Sequence, residues 1–246
     1  MIDSITAYVL AVVFVATLIR SILGFGEALV AVPLLALRLP VSVAAPLAVL
    51  VSVAIAAVIV LQDWRDVHLR SATGLILAAL PGIPVGILLL ARGNEQIVKL
   101  VLGLIIIGFS LYSLTAKTTP HLREDHPRWL FGCGFVSGVL GGAYGMNGPP
   151  LAVYGALRKW SPQHFRATLQ CYFLAASLVG LAGYSALGIW SGTVTRYFLL
   201  SLPAMVTAIL IGRALNREMR DTGFFRFVYL GLVAIGGILV VQTVVK

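Results

Sequence analysis

Arg20 and Glu27 are the residues best placed to do chemistry away from water, because both sit inside or beside a long apolar run. A charge within such a run is costly and marks a functional position by default. Arg20 has three readings: it pairs with an anionic ligand, it pairs with Glu27, or it snorkels to an interface. Glu27 directly follows a glycine-rich interruption, Gly24-Phe25-Gly26. A carboxylate there repels an anion, loss of water favours its neutral form, and a neutral carboxyl can carry a coupling proton. The other reading of Glu27 is a helix N-terminal cap, since acids favour a first turn. A second interruption runs from Gly141 through Gly145, Met146, Asn147, Gly148, Pro149 and Pro150. Asn147 can donate a side-chain N–H to an oxyanion. On a later run, Arg166 and Gln170 lie one helical turn apart. With His164 they can guide an anion inward from a mouth, or Arg166 can face lipid headgroups instead.

The backbone itself is the second source of chemistry. Each interruption precedes a short helix, expected at about 27–37 and about 149–157. First-turn N–H groups lack partners, and the helix dipole adds partial positive charge. Two such ends meeting inside a membrane cradle an anion without needing a full cation. Gly24, Gly26, Gly145 and Gly148 allow a ligand to approach the backbone closely. Helix packing is the alternative use of membrane glycines, and the four-residue spacing of Gly134, Gly138 and Gly142 suits that use better.

The elements that must position these residues are membrane helices. The chain has 246 residues, 59% hydrophobic and 11% charged, with a mean hydropathy of +0.99. Soluble domains carry about 25% charge, so this chain cannot cover a water-facing surface. A cytosolic enzyme, a disordered protein and a nucleic-acid-binding domain are excluded. The net charge of +9 comes from basic residues in short loops, as membrane topology requires. The fold class is an all-α integral membrane protein of about eight segments, at 5–37, 40–61, 71–91, 97–116, 129–157, 162–189, 194–212 and 224–245. The first run lacks a basic leader and reads as a retained segment. Cys133 and Cys171 read as small core side chains, and no cofactor motif is present. His121, Glu124, Asp125 and His126 lie in a polar loop and read as a solvated linker rather than a metal cluster. Trp64, Trp129, Trp160 and Trp190 read as interfacial belt residues.

The two halves resemble each other. Ala36-Leu37-Arg38 before Pro40 parallels Ala156-Leu157-Arg158 before Pro162, and Leu80-Pro81 parallels Leu202-Pro203. Gly103 and Gly108 parallel Gly231 and Gly236. The expected organisation is a first repeat at 1–116, a cytoplasmic linker at 117–128 and a second repeat at 129–246. Segments one and five are broken or re-entrant, because broken backbone in lipid must be buried in protein or line a cavity. If both dip in and return, the loop charges divide into twelve basic residues on one side and five on the other. That asymmetry places both termini outside and makes the two four-segment repeats inverted.

Gly24-Phe25-Gly26-Glu27-Ala28 leading to Val32-Pro33-Leu34-Leu35 resembles the first glycine-rich signature of the TauE/SafE family. Gly141 through Leu151 resembles the second, and Leu80-Pro81-Gly82 and Leu202-Pro203-Ala204 sit where later motifs of that family fall. The resemblance spans the whole chain. It implies a prokaryotic inner-membrane secondary transporter that exports or takes up small sulfur-containing anions such as sulfite and sulfonates. It also implies coupling to protons or to membrane potential. The partners implied are the anionic substrate and the lipid bilayer, and the sequence leaves a homodimer open. Two positions depart from the family pattern. Glu27 stands where further glycines are usual, and Asn147 where glycine is frequent. A channel, an enzyme and a membrane scaffold are the rival classes.

Overall fold

A computed structural model describes residues 3–63, 69–115, 126–218 and 222–244. The described residues form eleven α-helices and no strand. They are α1 (Ser4–Leu23), α2 (Glu27–Ala36), α3 (Val41–Asp63), α4 (Leu69–Ala79), α5 (Gly82–Arg92), α6 (Glu95–Thr115), α7 (Pro127–Tyr144), α8 (Gly148–Leu157), α9 (Pro162–Ala186), α10 (Gly192–Glu218) and α11 (Thr222–Val244). Eight apolar runs become eleven helices because three of the runs are split. Two splits are the expected glycine breaks. The third, at Leu80-Pro81, bends α4 against α5 by 40°.

Length and apolarity qualify five helices as membrane spans, or six with the bent α4–α5 pair. Among the described residues the two expected segments that do not qualify are the α7–α8 run and α11, and α2 and α8 have only 10 residues each. Ten residues rise about 15 Å, roughly half the hydrocarbon thickness. The run 5–37, expected to be broken, is a spanning-length helix followed by a half-length one. Tyr8 Oη donates to the Leu34 carbonyl, and the Arg38 guanidinium lies 4.9 Å from the Tyr8 ring centroid. The C-terminal end of α2 thus returns toward the start of α1. The second break does the same, since Pro150 and Val153 of α8 line one groove with Gly132 and Val136 of α7.

The helices pack in a pattern that survives exchange of the halves. α1 lies on α10 and α7 lies on α4 and α5, while α3 pairs with α9 and α6 with α11. Gly103 of α6 and Gly236 of α11 face each other, with a Cβ on either falling 3.0 Å from the other's carbonyl oxygen. α3 and α9 are the most enclosed spans, 67% and 61% buried, whereas α6 and α10 are only 28% and 22% buried. The exposed faces of the outer helices carry Leu77, Leu104, Val206 and Leu210. These are side chains suited to lipid rather than water.

The glycine stripe of α7 has the packing role expected of it. A Cβ on Gly138 would lie 2.3 Å from the Ala79 carbonyl, and one on Gly142 2.2 Å from that of Ile83. Among the tryptophans, Trp129 and Trp190 are exposed. Trp160 is not, because it packs edge-on against buried Tyr154 at 5.6 Å. Trp64 and the linker residues 117–125 lie outside the described residues, as do the side chains of His164 and Arg166.

Candidate functional site

The two breaks meet. Glycine ends the helix on each side by entering the left-handed region, Gly24 at φ +84° and Gly145 at φ +68°. The Gly24 N–H donates to the Arg20 carbonyl, and the Gly145 N–H to that of Gly141. Gly26, at φ +97°, then turns the chain into α2. Ser137 Oγ donates to the Asn147 carbonyl at 2.7 Å, which ties the second break to α7. One cavity is lined by Gly26, Glu27, Ala28 and Leu29 from the first break and Gly145, Met146, Asn147, Gly148 and Pro149 from the second. Ser52 of α3 and Phe173 of α9 complete its wall. Its free volume is about 10 Å³, room for about one water. A small oxyanion enters only if a lining group moves.

Arg20 is fully buried and organises the site. Its Nη1 lies 2.5 Å from Glu27 Oε1 and donates to Ser52 Oγ at 2.9 Å. Its Nη2 donates to Gln170 Oε1, and Gln170 Nε2 donates to the Gly24 carbonyl. The guanidinium also stands 5.1 Å from the Phe173 ring centroid, within cation–π range. A buried cation needs both a counter-charge and hydrogen bonds to offset desolvation, and here it has both. The pairing of Arg20 with Glu27 is therefore the one of its three readings realised in this conformation.

One sequence expectation changes, and two others gain a geometry. Gln170 does not line a mouth; it is fully buried and clamps Arg20 to the break. Glu27 is the acid in the first turn of α2, as its second reading has it, but Gly26 holds the cap position itself and no side-chain bond caps the helix. Asn147 lines the cavity, but its Oδ1 lies against Gly141 and has no hydrogen-bond partner. Phe25 packs edge-on to Phe165 and also approaches Gly148, so it joins the two breaks. Ser52 and Phe173 were not legible in the sequence. The place of Ser52 as one of two serines amid the apolar residues of α3 is the only hint of the first, and no local signal marks the second.

The model of the sulfite exporter TauE/SafE family matches residues 9–239. The chain belongs to that family. A relative from Cupriavidus necator (strain ATCC 17699), described as a probable sulfite/organosulfonate exporter TauE, is 24% identical over 234 residues. That match covers 93% of this chain and 91% of the relative. No solved structure matches the chain. Family membership and the apolar helices together make this TauE/SafE member a multi-pass membrane protein of a transport family.

Proposed function

We propose that this protein is a secondary transporter, working as an exporter, of small sulfur-containing anions such as sulfite or an organosulfonate. The observation that carries the reading is a fully buried arginine held against Glu27 and Ser52, two residues that line the cavity where the two broken helices meet. The N-terminus of α2 adds uncapped backbone N–H groups at the same point, which favours an anion electrostatically. The seat suits a compact oxyanion with several acceptor atoms, because Ser52 and Asn147 line it as potential donors and Arg20 stands directly behind Glu27 and Ser52. The relative's printed description supports sulfite or organosulfonate as the class. Access alternates between the two sides around this seat. The halves act as inverted repeats in an inner membrane, with both termini outside. Glu27 is the candidate for proton coupling.

Thermal unfolding of the purified protein against sulfite, sulfate, methanesulfonate, sulfoacetate, acetate and phosphate tests the proposal. A ligand that binds only the folded state stabilises it, by about 2.7 kcal/mol at a concentration 100 times Kd. The expected result is a selective rise in melting temperature with one or more sulfur oxyanions. Asn147→Ala should weaken that binding several-fold without unfolding the protein, as its Oδ1 makes no bond to lose. A shift with acetate or phosphate alone would overturn the sulfur class. Flux in liposomes, saturable and exchange-competent, separates a transporter from a channel.

A further inference from the structure

The position of Glu27 carries one more inference, which rests on reading the cavity as the anion seat. The seat already holds an anionic group, a carboxylate against Arg20 at the N-terminus of α2. A carboxylate and a sulfur oxyanion ask for the same partners, namely a guanidinium fork and converging N–H and O–H donors. With about 10 Å³ free, the cavity does not accommodate both. We propose that Glu27 is a tethered anion that the transported anion must displace from Arg20, and that Glu27 takes up a proton when displaced.

The displaced carboxyl has little choice of partner. Arg20 is the one cation paired with it among the described residues. α3 presents Ser52, and the second break presents Met146 and Asn147, none of which titrates. On α9, Gln170 and Phe173 both contact Arg20, while the buried Tyr172 hydroxyl has no hydrogen-bond partner among the described residues. Cys171 is the remaining titratable group on that stretch of α9. α6 brings Glu95 and Lys99 beside Leu37, past the far end of α2, where α11 adds the uncharged Gln242 and Thr243. A displaced carboxylate would stand beside the incoming anion, away from water, and both conditions favour its neutral form. The charges then balance: Arg20 exchanges one anionic partner for another, and the proton taken up neutralises the released carboxylate.

Proton and anion binding are therefore positively linked, and linkage is reciprocal. Over the pH range in which Glu27 is ionised without the anion and neutral with it, affinity should rise about tenfold per pH unit of acidification. Proton and anion cross together. A divalent anion leaving with one proton still carries net negative charge outward, a direction that an inside-negative potential favours.

Methanesulfonate and sulfate are suitable probes because neither changes charge between about pH 5 and pH 8. Binding would be measured by titration calorimetry on the full chain in detergent. In parallel, proton uptake would be followed with an indicator dye in weak buffer. The expected wild-type result is tighter binding at lower pH and close to one proton taken up per anion bound. Glu27→Gln should bind with little pH dependence and at least about tenfold tighter at pH 8. If Glu27→Gln does not fold, proton uptake by the wild-type protein decides alone. Anion binding without proton uptake, or equal or weaker binding by a folded Glu27→Gln, would overturn the proposal and leave the pair structural. Failure of every sulfur anion to bind the wild type would instead overturn the reading of the cavity itself.

Discussion

The two breaks are built alike and equipped differently. Each ends its first helix on a left-handed glycine and starts a ten-residue helix that folds back. The first break carries the charge. Arg20 lies just before it, Glu27 just after it, and the uncapped first turn of α2 offers N–H groups. The second break carries none, and Pro149 and Pro150 remove N–H groups from the first turn of α8. It supplies shape instead. α7 presses its glycines into α4 and α5, and Ser137 holds the Asn147 carbonyl. One half thus provides the electrostatics and the other a rigid wall. A duplicated fold can divide labour in this way once its two breaks share one cavity.

The largest expected effect comes from removing the charge on the first side. Arg20→Leu leaves Glu27 buried without its counter-charge and should cost about 3–5 kcal/mol of stability. Thermal unfolding in detergent would show it, together with loss of anion binding. A stable Arg20→Leu that still binds anions would break the comparison, because the first break would then not hold the seat. Next comes the wall. Gly142→Ala forces a Cβ against the Ile83 carbonyl and should cost about 1–3 kcal/mol. Anion affinity per folded molecule should change little, and a large change would show that the wall also selects the ligand. Gly26→Ala has open space around its Cβ, so its cost is conformational alone, about 1–2 kcal/mol at φ +97°. A neutral result in thermal unfolding would mean that the turn adjusts freely.

The smallest effect lies away from both breaks. Asp3 caps α1 through the Thr6 N–H at 2.7 Å, and the hydrogen bonds with Thr6 hold its carboxyl below its ordinary range. Its stabilising effect is therefore present above the unfolded-state value and is lost as pH falls through the lowered one. Asp3→Ala should slightly lower the melting temperature near neutral pH and converge with wild type in acid. Equal melting temperatures at neutral pH would remove the cap as a contributor.

The membrane class, both breaks and the costly charges were legible from composition and from local chemistry. Glycine beside proline interrupts a helix wherever the chain goes, and a buried arginine needs partners in any fold. The boundaries of the short helices were legible for the same reason. Pairings across long separations were not. Gln170 reaches Arg20 and the Gly24 carbonyl from another half of the chain, and Ser52 arrives on a different helix. The two Leu-Pro motifs make the same point. Pro203 sits inside an unbroken α10, whereas Pro81 marks a bend. Gly82 follows Pro81 where α7 packs so closely that a Cβ would lie 2.3 Å from the Phe135 carbonyl. The sequence by itself determined where the backbone must break and which side chains could not remain alone. Only the tertiary structure decided which groups relieve them, because burial and pairing depend on helices that are distant in the chain and adjacent in space.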